Sequence, residues 1–234
     1  MGKLLGQGTY STVYVVTLVN GGTESTPYAL KQFSLRNSKG VECALREQLI
    51  LKRLAINNLQ SLFLTSLICS FYDRGSPIFV FTKGSELDFS HLLDYSFLLG
   101  VNSKKFYGSE IFCGLEHLHL MGVVHLDIKR GNILRAHTGH ILITDFDCSN
   151  DTIFRNCPPR LTDYRGNRAF KTPEMANKTS ISSITDVWSF GALPARLTLG
   201  YVRFPKVSRA EMNNRWFWKY TKNTTVSIEL LSSI

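Results

Sequence analysis

The hydrophobic period changes once along these 234 residues, near Lys83, and that change restricts the architecture more than any single motif does. Before it, "KLLGQG", "STVYVVTLV" and "TPYALKQFSL" alternate apolar and polar residues, are rich in β-branched and aromatic side chains, and are joined by glycine-rich turns. They predict three strands of an antiparallel meander. "VECALREQLILKRLAI", Val41 to Ile56, has apolar residues at 45, 49, 50 and 54 with charges between, the spacing of a helix of about four turns. Two further strands are expected, a buried one at Leu62 to Phe71 and another at Pro77 to Thr82. After Lys83 helical spacing dominates, chiefly in "SKKFYGSEIFCGLEHLHLMG" and "SITDVWSFGALPARLTLG", each ending at a glycine suited to a C-cap. The expectation is an α+β fold of two lobes, a small antiparallel sheet with one helix over residues 1–82 and a mainly helical part over 83–234.

Charge and cysteine content remove several function classes. The net charge is +9, and 18 basic against 11 acidic residues lie from position 101 onward. A basic field can attract nucleic acid, anionic lipid or acidic proteins. The basic residues are dispersed, with no run of five like charges and no reading motif, so a solvated face is preferred and no nucleic-acid partner is expected. Five cysteines (Cys43, Cys69, Cys113, Cys148, Cys157) lie far apart without a C-x-x-C pair, which argues against a disulfide framework or a zinc site and for a reducing compartment, cytoplasmic or nuclear. The longest apolar run, "LFLTSLICSF", is about half of the ~20 residues a membrane helix needs, so no membrane insertion is expected. "MGKLLG" begins like a myristoylation signal but has Gly6 where Ser or Thr is wanted, and Asn150, Asn177 and Asn223 head sequons of little meaning in such a compartment.

Polar residues in apolar surroundings locate the chemistry. "GQGTYSTV" places Gly6 and Gly8 in a strand-turn-strand setting, where turn formation alone would explain them. Lys31, behind apolar residues in "YALK", would be rare on a buried strand unless an anion meets it. Glu47 can meet it from the helix; Glu42 is the alternative, but only Glu47 is followed by "QLILKRL" in the register that packs helix against sheet. "HLDIKRGNIL", residues 125 to 134, sets Asp127 and Asn132 before a strand pair, "NIL" and "HILITDF", that returns Asp145 beside them. One carboxylate could poise a hydroxyl, while Asn132 and Asp145 are hard oxygen donors suited to Mg²⁺ that phosphates also hold.

Taken in order, these stretches resemble the protein kinase family, from about Lys3 to Pro205. "GQGTYSTV" is similar to its glycine-rich loop, "YALK" to its third-strand lysine motif, "HLDIKRGN" to its catalytic loop and "DFD" to its metal-binding triplet. "TPE" at Thr172 to Glu174 is similar to the end of its activation segment, and "DVWSFG" at Asp186 to Gly191 to the start of its next long helix. The resemblance implies a bilobal kinase-like fold and the cofactors ATP and Mg²⁺. It further implies that Lys31 binds the α- and β-phosphates and pairs with Glu47, while Gly6 and Gly8 cover the phosphates and Val13 and Ala29 sandwich adenine. Asp127 would orient and deprotonate the substrate hydroxyl, Lys129 would neutralise the transferring phosphoryl group, and Asn132 and Asp145 would hold Mg²⁺. Lysine in "DIK" is the form of serine/threonine kinases, so a protein substrate with a Ser or Thr acceptor is implied, with a regulatory protein partner as a further expectation.

The departures define an alternative, a pseudokinase or ATP-binding scaffold with little or no catalysis. Ser11 occupies the third glycine position, and Leu126 replaces the arginine expected to pair with an activation-loop phosphate, so activity is expected not to depend on phosphorylating Ser149, Thr152, Thr162 or Tyr164. Asp147 replaces the glycine after Phe146, either as an unwanted charge near the metal or as a harmless exposed carboxylate; the latter is preferred. Asn167 stands in place of a threonine before "TPE". Pro194 should kink the last long helix. The chain stops at "SIELLSSI", so the helical lobe is expected to be shortened, Glu174 to lack its arginine, and "RWFWKY" at Arg215 to Tyr220 to be buried over the opening.

Overall fold

The computed structural model describes residues 2–17, 27–34, 38–56, 61–84, 100–153 and 182–199. Expectations for Thr162, Tyr164, Asn167, Thr172 to Glu174, Asn177, Arg215 to Tyr220, Asn223 and the last residues lie outside them.

Five strands form the first sheet: β1 (Leu4–Gln7), β2 (Ser11–Thr17), β3 (Pro27–Phe33), β4 (Leu67–Asp73) and β5 (Ser76–Thr82). Their order is β1-β2-β3-β5-β4, every pair antiparallel. The turn between β4 and β5 is built on Arg74 and Gly75, both at positive φ, which suits a two-residue hairpin. Cross-strand register puts Val13, Lys31 and Phe79 in one row and Val15, Ala29 and Phe81 in the next, on the same face. Phe33 stacks edge-on against Phe79 at 5.0 Å between ring centroids, and both are buried.

Two expectations are corrected here. The apolar run from Leu62 is not one buried strand. Residues 61–66 form a turn and a single parallel bridge, Leu64 to Ile143, and the strand proper starts at Leu67. The run is diverted because Phe63 accepts the Ile143 N–H (2.8 Å) and Thr65 donates to the Ile143 carbonyl (3.0 Å), so this stretch docks on the second half of the chain. Being last in the sheet order, β4 leaves Ile68, Phe71 and Tyr72 exposed.

The helix α1 (Ser38–Ile56) begins three residues earlier than expected, and its buried stripe differs. Cys43, Ala44, Glu47, Ile50, Leu51 and Leu54 are buried, whereas Leu45 and Leu49 are exposed. At about 100° per residue the buried set spans about 120°, with Glu47 near its middle, and Val41, Leu45 and Leu49 lie on the far side. The helix carries two apolar stripes, and the expected set of 45, 49, 50 and 54 mixed them.

The second half holds α2 (Val101–Leu120) and α3 (Ser183–Leu199). Around them lie short strands: β6 (Val123–Val124) paired with β9 (Asn150–Asp151), and β7 (Ile133–Arg135) with β8 (Ile141–Ile143). Helix α2 buries Ile111, Gly114, Leu115 and Leu118 at helical spacing and ends as expected, with Gly122 at φ 69° donating to the His119 carbonyl. Helix α3 runs through Pro194 to Leu199. One buried cluster, including Phe79, Leu51, Leu115, Ile128, Ile143, Phe146 and Leu193, joins the sheet, α1 and the helical half. No helix among the described residues is long and apolar enough to cross a membrane.

Candidate active site

Buried lysine needs compensating anions, and Lys31 has two. Its Nζ lies 2.6 Å from Glu47 Oε2 and 2.6 Å from Asp145 Oδ1. Strand β3, α1 and the residue after β8 therefore converge on one ammonium. Burial opposes its charge, but Asp145 and Glu47 outweigh that and hold its pKa above the ordinary lysine range. Two carboxylates on one lysine leave an excess negative charge, and it is divided unequally. Burial pushes Glu47 up to about 7, against the pull of Lys31. Asp145, although partly buried, is held below the usual carboxylate range by Lys31. Of the two carboxyls, Glu47 is therefore the more disposed to take a proton.

A second group forms on the segment after β6. Asp127 Oδ2 accepts from Lys129 Nζ (2.6 Å) and from Asn132 Nδ2 (2.9 Å), and Asn132 Nδ2 also reaches the Asp127 carbonyl at 2.9 Å. Among the described residues nothing hydrogen-bonds Asp127 Oδ1. Burial works against the Lys129 charge, yet its hydrogen bond to Asp127 raises its pKa. Since the Asn132 amide nitrogen is committed to Asp127, its Oδ1 is turned elsewhere, and Asp145 keeps Oδ2 beyond its lysine contact. That donor set, one carboxamide and one carboxylate oxygen, fits a hard divalent cation such as Mg²⁺.

The two groups are tied by backbone. Thr144 N–H donates to the Asn132 carbonyl (2.9 Å), and the Thr144 carbonyl accepts from His125 Nε2 (3.0 Å). Carbonyl oxygen only accepts, so the His125 proton sits on Nε2, leaving Nδ1 to accept the Asp127 N–H at 3.3 Å. The buried His125 and Phe146 rings lie 5.2 Å apart. Leu126 and Asp145 hold φ values of 66° and 72°, which cost a residue with a side chain about 1–3 kcal/mol each and cluster at working sites.

What holds Leu126 there is Asp186, in the first turn of α3. Its fully buried carboxylate accepts the His125 N–H (2.7 Å), the Leu126 N–H (2.8 Å) and His119 Nε2 (2.9 Å). Sequence reasoning used Asp186 only to mark a helix start, because a first-turn carboxylate is explained by the helix dipole alone. The available signal was an acidic residue beside the apolar Val187, Trp188 and Phe190. Glu110 was missed likewise; it is buried in α2 and accepts the Ile141 N–H at 3.0 Å, with His140 as its second partner.

Of the remaining candidates, Gly6 faces open space and Gly8 donates to the Ser11 carbonyl at 2.8 Å, closing the turn between β1 and β2. Val13 and Ala29 are half-buried on the sheet face that carries Lys31. Asp147 is not the exposed carboxylate preferred from sequence. Burial and the neighbouring Asp145 push its pKa up.

Comparison with known proteins follows the same outline. The protein kinase domain description matches residues 1–232. The chain is 32% identical over 204 residues, 86% of its length, to human protein kinase C delta type, and 31% identical over 204 residues to the mouse protein of that name. It is 30% identical over 211 residues, 89% of its length, to human ribosomal protein S6 kinase alpha-2. These alignments take up 29%, 29% and 28% of the relatives, so the chain spans less than a third of their length. With the domain description running from the first strand to within two residues of the last, and a lysine held between two carboxylates where that resemblance asks for it, the chain belongs to the protein kinase family.

Proposed function

We propose that this chain transfers the γ-phosphate of Mg-ATP to a serine or threonine hydroxyl of a protein. The observation that carries the reading is Lys31, held at 2.6 Å from both Glu47 and Asp145. A lysine so oriented presents its charge to phosphate oxygens on the same sheet face as Val13 and Ala29, which would enclose the adenine. Gly6 and Gly8 leave the backbone of the first turn free to approach phosphates. Asn132 and Asp145 would hold Mg²⁺, which supplies charge neutralisation between phosphate oxygens. Asp127, with Oδ1 uncommitted among the described residues, would take the hydroxyl proton, and Lys129 beside it would balance charge developing on the transferred group.

The same reading divides the chain near Lys83 into a nucleotide-binding lobe (1–82) and a catalytic lobe (83–234), in the cytoplasm or nucleus, open to a regulatory protein partner. Its test is phosphate transfer to serine- and threonine-containing peptides by the purified chain, compared with Asp127→Asn. Transfer that the substitution leaves unchanged would refute the assignment of Asp127.

One observation favours a second reading. The half-buried Asp147 carboxyl, with its pKa pushed up by burial and by Asp145, stands in place of the glycine after Phe146 and crowds the carboxylate that would hold Mg²⁺. A nucleotide-binding scaffold without transfer would be stabilised by Mg-ATP, about 2.7 kcal/mol at a hundredfold excess over Kd, while showing no turnover.

A further inference from the structure

Helix α1 carries Glu47, yet it leans on the Phe146–Cys148 turn more than on any one strand of the sheet. Two arginines on one side of the helix make polar contacts to that segment. Arg46 Nη1 donates to the Asp147 carbonyl at 3.1 Å, and Arg53 forms an ion pair with the Asp151 carboxylate. Seven residues of helix rise about 10 Å, and four residues of chain reach at most about 14 Å. The helix and the 147–151 stretch therefore run side by side, fastened at both ends. The outer fastening is sheltered, with the two side chains 16% and 14% exposed. Asp151 Oδ1 also accepts the Ile153 N–H at 3.0 Å, which fixes the carboxylate.

Asp151 pairs with Val123 across the β6–β9 ladder, and β6 leads directly into His125 to Asp127. Arg53 thus connects the helix bearing Glu47 to the ladder that delivers the catalytic loop. Leu126 in that loop is apolar and buried, so it brings no cation to this segment. Arg53 supplies one from α1, and Asp151 supplies a carboxylate already present in the sequence.

We propose that Arg53 and Asp151 are positioning residues whose ion pair docks α1 on the 145–151 segment, keeping Glu47 on Lys31 by charges encoded in the chain and without an added phosphate. The catalytic consequence rests on the kinase reading; the docking itself does not.

The experiment uses the full chain and three variants. Asp151→Asn keeps an acceptor for Ile153 but removes the charge, Arg53→Gln removes the cation, and Arg53→Asp combined with Asp151→Arg reverses the pair. Hydrogen exchange of the α1 amides 43–50 is expected to accelerate about tenfold in each single variant, with the β2 and β3 amides unaffected, as for local rather than global opening. With Mg-ATP and a peptide acceptor, kcat should fall about tenfold and KM for ATP should change less, because Glu47 orients Lys31 rather than touching nucleotide. The reversed pair should recover both. Unchanged exchange at 43–50 in both single variants, or exchange in the reversed pair as fast as in the singles, would overturn the proposal. A wild-type chain that transfers no phosphate refutes the kinase reading alone, since the exchange comparison still decides the docking.

Discussion

Replacing Asp186 is the sharpest perturbation available, because one buried side chain satisfies three donors. In Asp186→Ala the His125 and Leu126 N–H groups, now bonded at 2.7 and 2.8 Å, lose their acceptor in a region without solvent. Each orphaned buried donor costs about 1–3 kcal/mol, and hydrogen bonds to a charged acceptor lie toward the upper end. The His119 contact, at a ring that water still reaches in part, adds less. Relaxation of Leu126 from φ 66° would return part of the strain, about 1–3 kcal/mol. The balance is a loss of about 3–4 kcal/mol, a large share of the roughly 5–15 kcal/mol that stabilises a folded domain. Asp186→Asn keeps one acceptor and turns an amide donor toward the other N–H, so it should lose about 2 kcal/mol and remain folded. Urea unfolding followed by circular dichroism measures both. The Asn variant also separates stability from positioning, for it should lower phosphate transfer under conditions where it is fully folded. A loss below about 1 kcal/mol for Asp186→Ala, with turnover intact, would refute the argument that this carboxylate holds the loop.

Glu47 makes the chain's stability depend on pH in a direction that can be worked out. Its folded pKa of about 7 exceeds the ordinary glutamate value of 4.5, so its contribution is fully present below pH 4.5 and lost as pH rises through 7. The nucleotide-free chain should therefore melt at a lower temperature at pH 8 than at pH 5, by up to about 3 kcal/mol in stability, and Glu47→Gln should flatten the curve to the part due to Asp147. Replacing Thr152 and Thr162 by Ala and Tyr164 by Phe should leave turnover unchanged; abolished transfer with nucleotide affinity retained would sink the expectation of phosphate independence. Ser149 is left out because its hydroxyl is buried and donates to the His125 carbonyl at 3.2 Å. Gly114→Ala would place a methyl 2.8 Å from Ile143 Cδ1 and 3.2 Å from Phe63 Cβ, so chemical denaturation should show a loss of about 1–3 kcal/mol from overpacking.

The strands and helices were legible where local pattern decides them. Alternation marked β1, β2 and β3, an apolar run marked β5, helical spacing marked α2, and Gly122 marked the end of α2. Lys31 and Glu47 were also legible, because a lone cation in an apolar strand demands an anion and one helical register supplies it. The failures share a cause. With two apolar stripes on α1, nothing local states which one the 145–151 segment and the sheet will cover. The run at Leu62 read as a buried strand because the backbone partner at Ile143, which captures its first residues, lies about eighty positions away.

By itself the sequence determined the order of elements and the chemical kinds of group gathered around Lys31 and Asp127: cation, carboxylates, carboxamide. Tertiary structure alone decided that Asp145 joins Lys31, that Asp147 is half-buried and that Asp186 braces Leu126. It also decided that Arg53 fastens α1 to β9. The physical reason is one of range: periodicity and turn chemistry act over a few residues, whereas burial, ion pairing and the shifts in proton affinity that follow depend on neighbours brought together from distant parts of the chain.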